Sequence, residues 1–585
     1  MIPLSRATSS FRSVRPPTRW LRYAVNNGNG LRIVSGANFP QHERLAPLLG
    51  GGDRRYSDDA HAKHSAASSR ISFDDPRMSY GVQSTADIVR ALLIFKICSN
   101  KWLVKNCEAI LKGAISVFGE NIVMGVVRPS FFAHFCAGED ATSIQPRIDY
   151  LNGFGIGGIL DYAAEADIEE DDGGGAAEEN VDSNTASSIV YSARQYDYST
   201  EKQCNKNAEI FAQAIESVHN VTPNGFAAIK ITALCNPALL ERWSTSLVEI
   251  RNLFQRLDAN DNYILTYDEF RNGWQKYFNA EENEIRKRFE QFDQSGSGKV
   301  SAIEWTTALR PRNIADLASG CKGMGPFAKS ALSDEEIELM ENMERRVDEL
   351  TSLADRLGVR LMIDAEHSYF QPAIDNIVLK LQRKYNVNGN DRIYNTFQCY
   401  LKDSSTRIQE HILRSDYEGW EFAAKLVRGA YMVLERERAT TMGYDSPIHE
   451  TLEDTHQNYD GAIRTIITRE SVQEKRSKVN LVVASHNQTS VEKTIAAMDE
   501  EGISKVNHNV YFGQLLGMAD HLTFTLGMNG YSAYKYVPYG PINEVMPYLI
   551  RRAQENSDIM SGVTKERKML WDELIGRLTG TKAKQ

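Results

Sequence analysis

Eight short apolar runs recur along the chain, each closing on polar residues: "GIGGILDYAAE", "GFAAIKITAL", "GVRLMIDAEHS", "IYNTFQCYLKDS", "FAAKLVRGAY", "VNLVVASHN", "NVYFGQLLGM" and "SAYKYVPYG". Most are separated by segments of helical periodicity, such as "DEEIELMENMERRVDELTSLADRLG". Strand followed by helix, repeated about eight times, is the signature of parallel βαβ units. The pattern predicts an α/β fold of the (β/α)8 TIM-barrel type, with an open doubly wound sheet as the structural alternative. Barrel active sites lie at the C-terminal ends of the strands. The polar tails are therefore the candidate site: Asp161, Lys230, Asp364, Gln398, Arg428, Tyr431, His486, Asn487 and Tyr536.

Other patterns fall outside these units. From "STADIVRALLIFKIC" to "AILKGAISVF" the spacing is helical, with Ser84 or Thr85 as the cap, which predicts an N-terminal helical region over 81–127. Near the other end, "YLIRRAQEN" reads as a helix at about 100° per residue. Tyr548, Arg551, Arg552 and Glu555 then share one arc, and Val545, Met546, Leu549, Ile550 and Ala553 take the opposite one. Such a polar arc is either a solvated face or a paired guanidinium clamp for a carboxylate or phosphate.

Two segments match a calcium-binding loop. "DQSGSGKVSAIE" has Asp293, Ser295, Ser297 and Lys299 at the ligand positions, Gly298 at the sharp turn and Glu304 last. "DANDNYILTYDE" places Tyr263 where glycine is expected. Their spacing and helical flanks predict an all-α EF-hand pair at 245–312, inserted after the second strand, with the second loop as a candidate calcium site. The run "GFGIGG" precedes a strand instead of opening a helix, so it lacks the helix N-terminus that a phosphate-cradling loop needs.

Composition adds limits. The 585 residues are 42% hydrophobic and 25% charged, as in globular proteins, and the formal charge of −10 argues against nucleic acid as a partner. Seven cysteines without a CxxC suit a reducing compartment. Met1 to His42 lacks any acidic residue and carries arginines at 6, 12, 15, 19, 22 and 32, the character of a mitochondrial transit peptide over 1–42. Residues 43–80 read as a disordered linker, and the acidic, glycine-rich stretch 163–184 as a disordered surface insertion.

The motifs "KITAL", "LMIDAEHSYFQPAID", "NTFQCYLKD", "KLVRGAY", "VASHN", "VYFGQLLGM", "YKYVPYGP" and "YLIRRAQEN" stand in the order and spacing of proline dehydrogenase. The chain resembles the monofunctional mitochondrial type of eukaryotes, from about Arg128 to the end. The resemblance implies a distorted (β/α)8 barrel over 128–585 holding FAD, its last helix lying over the mouth. It implies that Arg551 and Arg552 pair with the proline carboxylate, assisted by Lys230, while Tyr536 and Tyr548 wall the ring above Leu515. Asp364 and Tyr431 would lie beside the substrate, Asp364 holding Lys230 or balancing the substrate ammonium. Lys425 would approach the flavin N5 and Arg428 the pyrophosphate, with Gly429 and Ala430 beside it. Gln398, Ser485, His486, Asn487 and Glu555 would complete the flavin contacts.

The activity so implied is hydride transfer from L-proline to flavin N5, giving Δ1-pyrroline-5-carboxylate. The electrons would pass to ubiquinone at the matrix side of the mitochondrial inner membrane, through peripheral attachment. Pyrroline-5-carboxylate dehydrogenase is a candidate partner for the product. Three rival readings stay on the table: a hydroxyproline dehydrogenase, which a bulky Tyr536 disfavours; a calcium-sensing adaptor without catalysis; and a Schiff-base aldolase using Lys230.

Overall fold

Strands form where β-branched and aromatic residues cluster between turn signals, and each of the eight apolar runs supplies one. They are β1 (Ile156–Tyr162), β2 (Phe226–Ile229), β3 (Arg360–Ile363), β4 (Ile393–Gln398), β5 (Phe422–Val427), β6 (Val479–Ala484), β7 (Val510–Leu515) and β8 (Ala533–Tyr539). In the computed structural model every strand pairs in parallel with its neighbours in sequence order, and β8 pairs with β1 to close the barrel. The open-sheet alternative is thereby excluded. The structure describes residues 71–163, 200–222, 224–323, 325–471, 479–505, 509–558 and 560–580, with the short pair 23–26 and 31–34. The predicted acidic insertion, apart from residue 163, and most of the predicted transit peptide lie outside these residues. Tyr23–Asn26 and Leu31–Val34 pair antiparallel.

Helices cover the barrel, and local chemistry fixes their ends. The longest, Asp334–Leu357, starts at Ser333 in a reciprocal capping box with Glu336 and stops at Gly358, whose φ of 72° suits a residue without a side chain. Packing begins earlier than the predicted linker boundary. Phe73 and Tyr80 are buried, and Pro76–Tyr80 is helical, so 71–80 belongs to the folded body. Tyr80 packs with Ile88, Phe95, Met569 and Leu570, joining the N-terminal helices to the C-terminal helix Met560–Thr579. The Tyr80 hydroxyl donates to Glu566 at 2.9 Å, and the backbone N–H groups of Ala519 and Asp520 donate to the same carboxylate.

Between β2 and β3 the chain makes two helix–loop–strand–helix units. Pro237–Leu257 and Tyr267–Tyr277 form the first; Glu282–Phe292 and Ala302–Ala308 form the second. Their short strands, Ile264–Thr266 and Lys299–Ser301, pair antiparallel. Tyr263 takes the turn position with φ of 64° and is buried, its N–H donating to Asp258 at 2.7 Å. In the second loop Asp293 accepts from the backbone N–H groups of Ser297 and Gly298. Glu304 accepts from the hydroxyls of Ser295 and Ser301. Lys299 contributes its carbonyl to the Ser297 hydroxyl. The carboxylates expected to hold calcium are thus engaged by the loop itself, and no group of three metal-ligating side chains occurs among the described residues.

Three buried histidines make the fold sensitive to acid. Burial pushes His134 down to about 4, His411 to about 3 and His521 to about 4, from 6.5. A histidine depressed in the folded state contributes stability that is full above 6.5 and is lost as pH falls towards the folded value. Glu566 acts in the opposite sense: burial, then the neighbouring Asp520 charge, raise it to about 7, so its contribution grows as pH falls below that value. Among these four groups the three imidazoles outweigh the one carboxyl, so their sum is a loss of stability towards acid. Chemical denaturation at pH 7.5, 6.5 and 5.5 should show stability falling with each step, and a flat profile would contradict the neutral burial of these imidazoles.

Candidate active site

Side chains along a strand alternate between the barrel interior and the helical layer. At the N-terminal end the inward set is aromatic: Phe226, Tyr394, Tyr511 and Tyr534 meet edge to face with ring centroids 5.2 to 6.3 Å apart. The Arg360 guanidinium lies over Phe226 and Tyr511 and is paired with Asp391 at 2.8 Å. This layer floors the barrel. The same alternation, carried towards the strand C-termini, makes the next inward residues polar: Asp161 on β1, Asp364 after β3, Gln398 on β4, Lys425 on β5 and Tyr536 on β8.

These residues meet. Lys425 Nζ donates to Asp364 Oδ1 at 2.5 Å, and the Tyr536 hydroxyl donates to Asp364 Oδ2 at 3.5 Å. The Lys425 ammonium also lies 5.9 Å from the Tyr536 ring centroid. Both charges are buried, so each depends on the other. Asp364 thus has an ion pair with Lys425, which the sequence reading did not anticipate. Lys230, buried at the end of β2, exerts its charge on Glu366. That carboxyl is raised by burial, against donors from the Thr232 N–H and hydroxyl. Gln398 ties the two loops together: its Nε2 donates to the Glu366 carbonyl at 2.7 Å and its Oε1 accepts from the Ala430 N–H at 3.3 Å.

A second polar group follows β5 and β6. Arg428 donates to the hydroxyls of Ser485 at 2.7 Å and Ser490 at 2.9 Å, and to His456. Asn487 caps the helix Gln488–Glu500, accepting from the Ser490 N–H. A guanidinium, two hydroxyls and a helix N-terminus form a donor set suited to phosphate oxygens. Gly429, at φ of 147°, lies against Tyr400 so closely that a Cβ there would fall 2.4 Å from the ring. The buried Thr396 hydroxyl has no partner among the described residues. These features fit a flavin dinucleotide. His486 is held neutral by burial and by the charges of Lys535 and Arg552; its Nε2 accepts from the Leu515 N–H at 3.0 Å.

The helix Met546–Asp558 covers this end of the barrel. Val545, Tyr548, Leu549 and Ala553 pack with Phe135, Ile542 and Ala163, the residue after β1, and with Leu515 at the end of β7. Half of the arc that could have been solvated is buried, and Arg551 and Glu555 stay partly exposed. Arg552 is only 5% exposed and Tyr548 is fully buried, the guanidinium 4.9 Å from the tyrosine ring centroid. Arg552 Nε is buried without a partner among the described residues, while Nη2 pairs with Glu555 on the same helix. Glu555, expected to reach the flavin, is thus engaged by Arg552. Arg551 is half-buried beside it.

Three residues escape the sequence reading. His367 packs at a tilt against Tyr431 with centroids 4.4 Å apart, and Glu435, fully buried, accepts from the Ser368 N–H and hydroxyl. With Glu366 they fix the loops flanking Asp364 and Tyr431. The signal for two of them was the density of ionisable residues in "DAEHS" directly after a strand.

Comparisons of the sequence with known proteins agree on one family. The sequence profile described as Proline dehydrogenase matches residues 145–565. "Proline dehydrogenase 1, mitochondrial" of Homo sapiens is 35% identical over 545 residues, covering 87% of this chain and 90% of the human protein. The protein of the same name from Drosophila melanogaster is 33% identical, covering 87% and 81%. "Hydroxyproline dehydrogenase" of Xenopus laevis is 30% identical over 512 residues, covering 88% and 91%. Among solved structures, proline utilization A (PutA) from Bdellovibrio bacteriovorus aligns at TM-score 0.49 and 14% identity. That alignment covers 84% of this chain and 39% of the PutA chain.

Proposed function

The chain belongs to the proline dehydrogenase family, and from that premise we propose that it oxidises L-proline to Δ1-pyrroline-5-carboxylate as the first step of proline catabolism. The observation carrying this reading is the buried Arg552, its Nε unpartnered, on a helix that covers a barrel mouth lined by Asp364, Lys425 and Tyr536. A planar guanidinium buried with a spare donor suits a carboxylate, and bidentate pairing fixes orientation as well as charge.

In this reading Arg551 and Arg552 take the proline carboxylate with help from Lys230. Tyr536 and Tyr548 wall the pyrrolidine ring over Leu515, and Tyr431 stands beside it. Asp364 keeps Lys425 in place and faces the ring nitrogen. FAD, when bound, supplies the acceptor for the hydride lost from the carbon next to that nitrogen. Lys425, Arg428, Gly429, Ala430, Gln398, Ser485, His486 and Asn487 would hold the cofactor, and the covering helix would exclude water. Ubiquinone is the proposed final acceptor, with the protein peripheral on the matrix side of the mitochondrial inner membrane. Names of the relatives and the acid-free N-terminus support that address. The product would be taken up by pyrroline-5-carboxylate dehydrogenase. Calcium at the second loop belongs to the same reading, although an ion would have to displace the donors that now occupy Asp293 and Glu304.

Anaerobic L-proline added to the flavin-loaded protein should bleach the flavin absorbance. The same experiment with trans-4-hydroxyproline should be markedly slower, since Tyr536 crowds the space a C4 hydroxyl would need. An unchanged spectrum with proline would return the chain to an adaptor role, and preference for the hydroxylated ring would move it beside the Xenopus relative.

A further inference from the structure

Helices in a folded protein bury an apolar face, and one pair here does not. Cys107–Phe118 has no buried residue, and Glu120–Val127 buries only Val123. Gly119, at φ of 82°, joins them into a hairpin. Its outer surface carries Ile110 (43% exposed), Val117 (74%), Phe118 (62%), Ile122 (64%) and Val126 (66%), and Trp102 (66%) stands just before it.

Charge is nearly absent from this surface. Between Asn106 and Val127 the only charged residues are Glu108, Lys112 and Glu120. Lys112 pairs with Glu108 at 2.9 Å, and Glu120 accepts from the Asn543 side chain at 2.8 Å. Glu108, Lys112 and Ser116 form one polar stripe at i, i+4 and i+8, leaving a broad apolar arc on the rest of the helix. Exposed Lys101 and Lys105 flank Trp102 at the base. Tryptophan and lysine beside an apolar segment are the residues of a membrane–water interface. The longer helix would reach about 18 Å, short of the ~30 Å hydrocarbon core, and no helix among the described residues is long and apolar enough to cross a membrane.

We infer that this hairpin is the membrane-docking element, its apolar arc lying in one leaflet and its lysines at the headgroups. The inference rests on the reading of the chain as a dehydrogenase that delivers electrons to a quinone. It also deepens that reading, because the hairpin is built onto the helix that covers the barrel. Met124 and Val127 pack into the cluster holding Tyr548 and Leu549, and Met546–Asp558 also packs on Lys101–Lys105. Docking the hairpin brings the barrel mouth against the bilayer, where a lipid-soluble acceptor resides. The carboxylates of the hairpin being already engaged favours lipid over a basic protein partner.

The test uses the full flavin-loaded protein and flotation with phosphatidylcholine vesicles containing roughly one-fifth anionic lipid. The parent should float with the vesicles. The triple variant Val117→Ser, Phe118→Ser, Ile122→Ser should lose roughly a hundredfold or more in partition, with an unchanged melting temperature because all three side chains are exposed. Its proline turnover with a soluble dye should match the parent, while turnover with quinone embedded in vesicles should fall. A parent that stays in solution, or a variant that floats equally well, overturns the docking surface. A variant that changes from dimer to monomer without losing flotation overturns it too, and makes the face a contact between copies. Absent dye turnover in the parent would instead defeat the functional reading, since flotation requires no catalysis.

Discussion

Arg552→Ala is expected to raise the KM for L-proline by roughly a hundredfold, with the flavin still bound at parental stoichiometry. The guanidinium is buried, leans on Tyr548, and spends Nη2 on Glu555 while Nε has no partner among the described residues. A charge-assisted hydrogen bond is worth about 1.5–3 kcal/mol, and losing one partner of a buried charge pair costs 2–5. A hundredfold is therefore the middle of the range. Lysine should rescue little, because a point charge cannot reproduce the planar fork. The more exposed Arg551 should give a smaller effect of the same kind. Steady-state KM and the flavin-to-protein ratio are the two readouts. An unchanged KM would mean that Arg552 serves only to fasten the helix, and loss of flavin would place it with the cofactor instead.

The other large effect is expected at Asp364. Asp364→Ala removes the counter-ion of Lys425 and strands a buried ammonium, which should destabilise the protein by about 3–5 kcal/mol. Turnover should fall by at least two orders of magnitude, as the carboxylate proposed to face the substrate ring and the anchor of the Tyr536 hydroxyl disappear together. Adding Lys425→Met to the same chain should recover much of the stability and none of the turnover. Such a cycle separates the structural part of the pair from its part in the chemistry. Equal melting temperatures for parent and Asp364→Ala would show that Lys425 finds another acceptor.

How far the sequence carried can be read from particular residues. Val482, Met362 and Ile159 announced strands by their runs, and the alternation that buries Tyr394 also points Gln398 inward two rungs later. The barrel and the inward polar residues at its strand C-termini were therefore legible. The pairing of Asp364 with Lys425 was not, because it joins strands two places apart around a closed sheet, and no local pattern encodes that distance. Burial of Arg552 was hidden for a related reason. A helical wheel reports which residues share a face, whereas what covers that face depends on elements from both ends of the chain. Glu435 gave no signal at all: it lies in a helix of mixed composition and meets Ser368 only in three dimensions. The hairpin at 107–127 was legible as helix but not as an exposed one, since apolar residues in a pattern are usually assigned to a core.

The aromatic floor has a kinetic meaning. Phe226, Tyr394, Tyr511 and Tyr534, with Arg360 across them, turn the barrel from a tube into a cup. Whatever enters must leave by the doorway through which it came, so reductant and oxidant cannot pass through in relay. A substrate and an acceptor that both used this mouth would have to take turns at it.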